Sequence, residues 1–107
     1  MTDVNPIFAE IEALLDDVTP RGLDEIEDTL TSGYAAALAL EAERWRIERR
    51  ISALAAELGG DADRELRRAE EIVGLAQRLS GADADLTRLR GMLGSLRDRA
   101  DAARAAA

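Results

Sequence analysis

The sequence lacks the side chains on which most enzyme chemistry depends. Among its 107 residues there is no cysteine, no histidine and no lysine, because all fourteen basic residues are arginine. Without these side chains no serine has a base to activate it, no thiolate or imidazole can bind zinc, and no amine can form a Schiff base. We therefore predict that the protein is not an enzyme and has no catalytic residues, no metal site and no cofactor.

Aromatic residues and prolines are also scarce, with three and two respectively, whereas the chain has twenty-one alanines and fifteen leucines. Alanine and leucine are strong helix formers, and the aromatic and β-branched residues typical of sheets are few. The longest apolar run, residues 34–40, is much shorter than the roughly 20 residues of a membrane span. The acidic start lacks the basic region of a signal peptide, and the absence of cysteine agrees with a reducing compartment. We predict a cytoplasmic all-α protein without a membrane segment, and its arginine-rich, lysine-free composition suggests a bacterial source.

Helical spacing first defines a short N-terminal helix. Asn5 is a good N-cap and Pro6 suits the first helical turn. Apolar residues then recur on one face from Ile7 onward, so we place this helix at about 6–17. Thr19-Pro20 repeats the cap-and-proline signal and predicts a second helix from about residue 20.

Two long apolar seams occupy the rest of the chain. From Leu23 to Leu58 the seam positions alternate steps of three and four, with Gly33 and Arg44 as weak members. A second seam with the same alternation begins at Ile72, and both are typical of coiled-coil packing. The predicted hairpin seam includes Leu40, Ile47, Ile51, Leu54, Leu79, Leu86, Leu89 and Leu93.

These signals predict one all-helical domain over residues 1–107. A short N-terminal helix folds onto the open end of a long antiparallel, coiled-coil-like helical hairpin, which assembles into a dimeric helical bundle. The hairpin helices span about 20–58 and 61–105, on either side of a glycine turn at 59–60. A kink at 31–33 and a break at 80–83 stay open, because each segment contains a glycine.

Charge is distributed unevenly along the chain. Residues 1–43 contain eleven acidic side chains and one arginine, whereas residues 44–107 contain eleven acidic side chains and thirteen arginines. A hairpin that turns at 59–60 brings these parts together and places Leu40 near Leu79. Each exposed ion pair contributes little, but the pattern disfavours wrong registers.

Four arginines, Arg44, Arg46, Arg49 and Arg50, surround Trp45. Arginine beside an aromatic ring is typical of nucleic-acid binding. Glutamates are interspersed, however, and the net charge of −8 opposes approach to phosphates. A solvated mixed-charge face is the simpler interpretation, so nucleic-acid binding is the least favoured hypothesis.

Tyr34, Leu38 and Trp45 form a second apolar stripe, about 120–160° away from Leu40 at 100° per residue. A hairpin leaves this stripe exposed, whereas a more compact fold with breaks would bury it. Exposed aromatic patches usually mark interfaces. The leading hypothesis is therefore a non-enzymatic protein–protein interaction module (a scaffold, adaptor or regulatory subunit) that forms a homodimer through these three residues. The alternatives are another protein as partner, or a bundle that carries a small apolar ligand in a cavity left by interior glycines and alanines.

Overall fold

The computed structural model describes residues 2–16 and 22–106, and every regular element in these ranges is a helix. The helices are α1 (Asn5–Asp16), α2 (Leu23–Ala56) and α3 (Ala62–Ala106). The predicted all-α fold, a short N-terminal helix and a long antiparallel helical hairpin, is confirmed. The predicted start of the second helix at Thr19-Pro20 lies outside the described residues.

Both long helices are continuous. α2 runs through residues 31–33 and α3 runs through residues 80–83 without interruption. A glycine in a helix interior costs about 1 kcal/mol relative to alanine. Packing along the rest of each long helix outweighs this local cost, so neither the kink nor the break occurs.

The turn between α2 and α3 is built from backbone hydrogen bonds and one glycine. The N–H groups of Glu57 and Leu58 donate to the last carbonyls of α2, at 3.1 and 3.3 Å. Gly59 then adopts a φ of 115°, a backbone conformation that residues with a Cβ rarely adopt. The Asp61 carboxylate accepts the N–H of Arg64 at 3.0 Å and caps α3.

The register of the hairpin differs from the predicted one. Gly33 packs against Leu93 and Glu41 pairs with Arg90, which is a shift of roughly two helical turns from the predicted pairing of Leu40 with Leu79. The chain does not reverse at the two glycines alone. The connecting segment continues along the axis beside the start of α3, where the Arg68 side chain donates to the Glu57 carbonyl at 2.8 Å.

α1 packs along one side of the hairpin and divides the molecule into two halves. Its buried residues join α2 and α3 in a large apolar cluster that contains Ile11, Leu40 and Leu89. Beyond this three-helix half, only α2 and α3 continue to the turn. The second cluster, in this turn half, has three buried residues, Ile47, Leu54 and Leu75.

The α1 helix is fixed at both ends. The Asp3 carboxylate accepts the N–H of Asn5 at 3.0 Å, so Asp3 rather than the predicted Asn5 provides the side-chain cap. At the other end, the Arg99 guanidinium donates to the carbonyls of Leu14 and Leu15. The molecule is a rod with extents of 67 × 18 × 15 Å.

Candidate interaction face

The hairpin has two long faces, and α1 covers only one of them. On that side Arg88 pairs with Glu12, and the Glu43 side chain accepts a hydrogen bond from Thr2. On the opposite side Glu41 pairs with Arg90. In heptad terms, Glu43 occupies one flanking position of the seam and Glu41 the other. The fold therefore leaves one face of the hairpin without a covering helix.

The predicted interface residues Tyr34, Leu38 and Trp45 lie on this uncovered face. Their exposed fractions are 40%, 66% and 56%. A compact fold that buries the stripe is therefore not the one adopted. Whether the three residues form an interface stays a prediction.

Two further apolar residues of α3 belong to the same face, and the sequence analysis missed them. Leu66 and Val73 are 60% and 57% exposed. They lie seven residues apart and therefore occupy the same heptad position. Gly94, three heptads after Val73, also occupies this position and borders the groove on the uncovered face. This heptad spacing is the signal that could have found them. We call the surface defined by Tyr34, Leu38, Trp45, Leu66 and Val73 the Trp45 face.

A groove of about 400 Å³ indents the Trp45 face between α2 and α3. The buried Leu93 lines its bottom, and Tyr34 and Leu38 of α2 line one side. On the α3 side Gly94 has no side chain to narrow the groove. Arg90 and Arg97 stand at its rim. The groove is apolar within and charged at its edge, which suits an amphipathic helix.

Arginine side chains lie over two aromatic rings of this face. The Arg49 guanidinium carbon is 4.7 Å from the centre of the Trp45 ring, and that of Arg97 is 5.9 Å from the centre of the Tyr34 ring. Such cation–π contacts hold the rings in place while leaving much of their surface exposed.

The predicted seam residues all lie between α2 and α3. Ile51 and Leu79 are half-buried and pack against the second cluster. Arg44, a weak member of the predicted seam, is partly exposed and its guanidinium contacts Asp83. Its neighbour Glu43 flanks the seam on the side of the N-terminal segment and is buried there. The other predicted seam residues are buried: Leu40, Ile47, Leu54, Leu86, Leu89 and Leu93.

Glu43 is the buried charged residue of the described chain, with 7% exposure. Its Oε2 accepts the backbone N–H of Thr2 at 3.1 Å, and its Oε1 lies 3.9 Å from the Arg78 guanidinium. A cavity of about 310 Å³ lies beside it, lined on α3 by Gly74 and Gly81. A buried carboxylate requires partners of this kind because it has lost its hydration.

Two of the four arginines around Trp45 pair with acidic residues within the molecule. Arg44 contacts Asp83 at 3.0 Å, and Arg50 contacts Glu71 at 3.2 Å. At the other end of the hairpin the Glu27 carboxylate raises the pKa of Arg104. These pairs occupy charges that a nucleic-acid site would direct at phosphates.

Within residues 2–16 and 22–106, no group of acidic side chains is arranged to hold a metal ion, and no helix is long and apolar enough to cross a membrane. The chain matches no protein family, no curated protein and no solved structure.

Proposed function

We propose that the chain is a non-enzymatic helical interaction module that forms a homodimer through the Trp45 face. The observation that carries this proposal is the exposure of five large apolar side chains on the one face that α1 leaves uncovered. Isolated exposed apolar residues are ordinary, but a contiguous set of them is typical of a binding surface. In this proposal the module acts in the cytoplasm as a scaffold, adaptor or regulatory subunit.

The weak core of the turn half supports the same proposal. That half buries three apolar residues, yet it exposes Trp45, Leu66 and Val73. Most of the stability of a helix in a protein comes from packing of its apolar face, and in this half two helices share only that small cluster. Covering the Trp45 face would supply the missing apolar contacts.

The direct test replaces the central aromatic residue with a charged one. Wild-type protein at tens of micromolar should scatter light as a dimer, and Trp45→Glu should give a smaller species. Ala53→Glu is the matched control, because Ala53 is exposed on α2 but lies outside the Trp45 face. A wild-type protein that stays monomeric at these concentrations contradicts the proposal.

The single tryptophan provides a second measurement without any mutation. Trp45 is 56% exposed in the single chain, so its emission should shift to shorter wavelength as the concentration rises and the ring becomes buried. Emission that does not depend on concentration would contradict burial of Trp45 between two copies.

The alternative function, a carrier of a small apolar ligand, is favoured by the groove of about 400 Å³ beside Tyr34 and Leu93. That volume falls within the range of small-molecule sites. Titration with a hydrophobic dye and then with fatty acids tests it. Saturable binding that Gly94→Leu abolishes would support the carrier, whereas binding without saturation would count against it.

A further inference from the structure

We infer that the occupant of the Trp45 face is a second copy of the chain, placed with both turns at the same end, so that α2 of each copy packs on α3 of the other. This inference rests on the proposed function and adds its geometry. A homodimer is normally two-fold symmetric, and the two-fold axis can run along the rod or across it. An axis along the rod places α2 against α3; an axis across it places α2 against α2 and separates the turns.

The charges of the Trp45 face distinguish these arrangements. At the heptad positions that form this face, α2 contributes four acidic residues: Asp24, Glu27, Glu41 and Glu48. The side chains of Arg44 and Arg49 also reach this face, where they contact Glu48 and Trp45, so α2 keeps an excess of two acidic charges there. At the same positions α3 contributes Arg90, Arg97 and Arg104 together with two aspartates, Asp83 and Asp101.

An axis across the rod brings the two acidic α2 surfaces together, and like charges in an interface oppose association. An axis along the rod brings each acidic α2 surface to the partner's arginines.

The acidic residues of α2 and the arginines of α3 also lie at matching positions along the axis of the rod. Glu41 contacts Arg90 and Glu27 contacts Arg104 within one chain, so the acidic and basic residues lie at equal heights on the two helices. An axis along the rod preserves height. Arg90 and Arg104 then each stand between a carboxylate of their own chain and the corresponding carboxylate of the second copy.

The dimensions of the face are sufficient for a stable dimer. The rod is 67 Å long and 18 Å wide, whereas a standard interface takes about 800 Å² from each partner. The product is a bundle in which the four long helices pack antiparallel to their neighbours and each α1 lies on the outside.

Spin labels test the orientation. Because the chain contains no native cysteine, one introduced cysteine gives one labelled site in each chain. One label is placed at the turn by Gly60→Cys and another near the open end by Asp98→Cys. In separately labelled dimers, turns at the same end give distances below about 40 Å for both sites, because a bundle two helices deep is narrow. Turns at opposite ends give distances near the rod length of 67 Å for at least one site.

The two proposals fail in different ways in this experiment. A monomer in light scattering overturns both. A dimer with a long distance at either label overturns the shared-end orientation and leaves self-association standing. A third variant, Val73→Glu, should weaken the dimer as strongly as Trp45→Glu, whereas Ala84→Glu, at an exposed position of α3 outside the Trp45 face, should not. A dimer insensitive to Val73→Glu shows that α3 is not in the interface and also overturns the inference.

Discussion

The Glu43 side chain on α2 accepts a hydrogen bond from the backbone N–H of Thr2, with 3.1 Å between Oε2 and the nitrogen. The two residues are 41 positions apart in sequence. This bond fixes the N-terminal segment at the point where the three-helix half of the molecule ends. Glu43 thereby joins the covered part of the hairpin to the part that only two helices form.

Replacing this carboxylate should loosen the N-terminal segment. We expect Glu43→Ala to lower the free energy of unfolding by about 1–3 kcal/mol, because the mutation removes a charged acceptor and leaves the Thr2 N–H unpaired. Glu43→Gln keeps an acceptor oxygen and should lose less. Guanidinium unfolding measures the difference, and equal losses for the two variants would show that the hydrogen bond is unimportant.

Two glycines inside the helices should respond in opposite ways to replacement by alanine. A Cβ on Gly33 would overlap the Leu93 side chain, whereas a Cβ on Gly91 meets nothing within 4 Å. We expect Gly91→Ala to stabilise the fold by about 0.5–1 kcal/mol through helix propensity. Gly33→Ala should be less stable than Gly91→Ala by at least ~1 kcal/mol, because the core must repack. Thermal or chemical unfolding of the pair checks this, and equal gains would mean that Leu93 moves aside freely.

The two glycines of the turn provide a second matched pair. Gly59 has a φ of 115°, and it alone has a positive φ among the described residues. We expect Gly59→Ala to destabilise the protein by about 1–2 kcal/mol, since a Cβ is strained in that conformation. Gly60→Ala should change stability much less. If both variants unfold at the same denaturant concentration, the turn adopts another backbone conformation in solution.

Arg99 holds the C-terminal end of α1 through the carbonyls of Leu14 and Leu15. Arg99→Ala should lower stability by about 1 kcal/mol, because it removes a charged donor from these orphan carbonyls. Arg99→Lys keeps the charge but not the forked geometry, so it should recover part of the loss. Hydrogen exchange of the α1 amides is the local measurement. Unchanged exchange in Arg99→Ala, with Arg67→Ala as the exposed control, would show that α1 does not need the clamp.

Much of the fold could be read from residue spacing because helix periodicity is local. The seams marked Leu40, Leu86 and Leu89 as core positions of the hairpin, and these residues are buried. Gly59 was recognisable as a turn because its conformation suits a residue without a Cβ. The stripe of Tyr34, Leu38 and Trp45 also followed from angular position alone.

The rest depended on how the helices meet. Periodicity within α2 does not show which flank of the seam another segment covers, so it gave no sign that Glu43 would be buried beside Thr2. The spacing of apolar residues also does not show how many residues the connection between α2 and α3 takes. The register shift therefore arises from the connecting segment, which runs beside the start of α3 so that Arg68 contacts Glu57.

Composition and helical periodicity are properties of single segments, so they were enough to predict an all-helical hairpin without the side chains for common enzyme chemistry. The tertiary structure alone shows which side of the hairpin α1 covers, and therefore that Tyr34 and Leu38 remain exposed. That choice depends on packing between segments distant in sequence. Such packing is set by the shapes and charges of whole helix surfaces rather than by any local pattern.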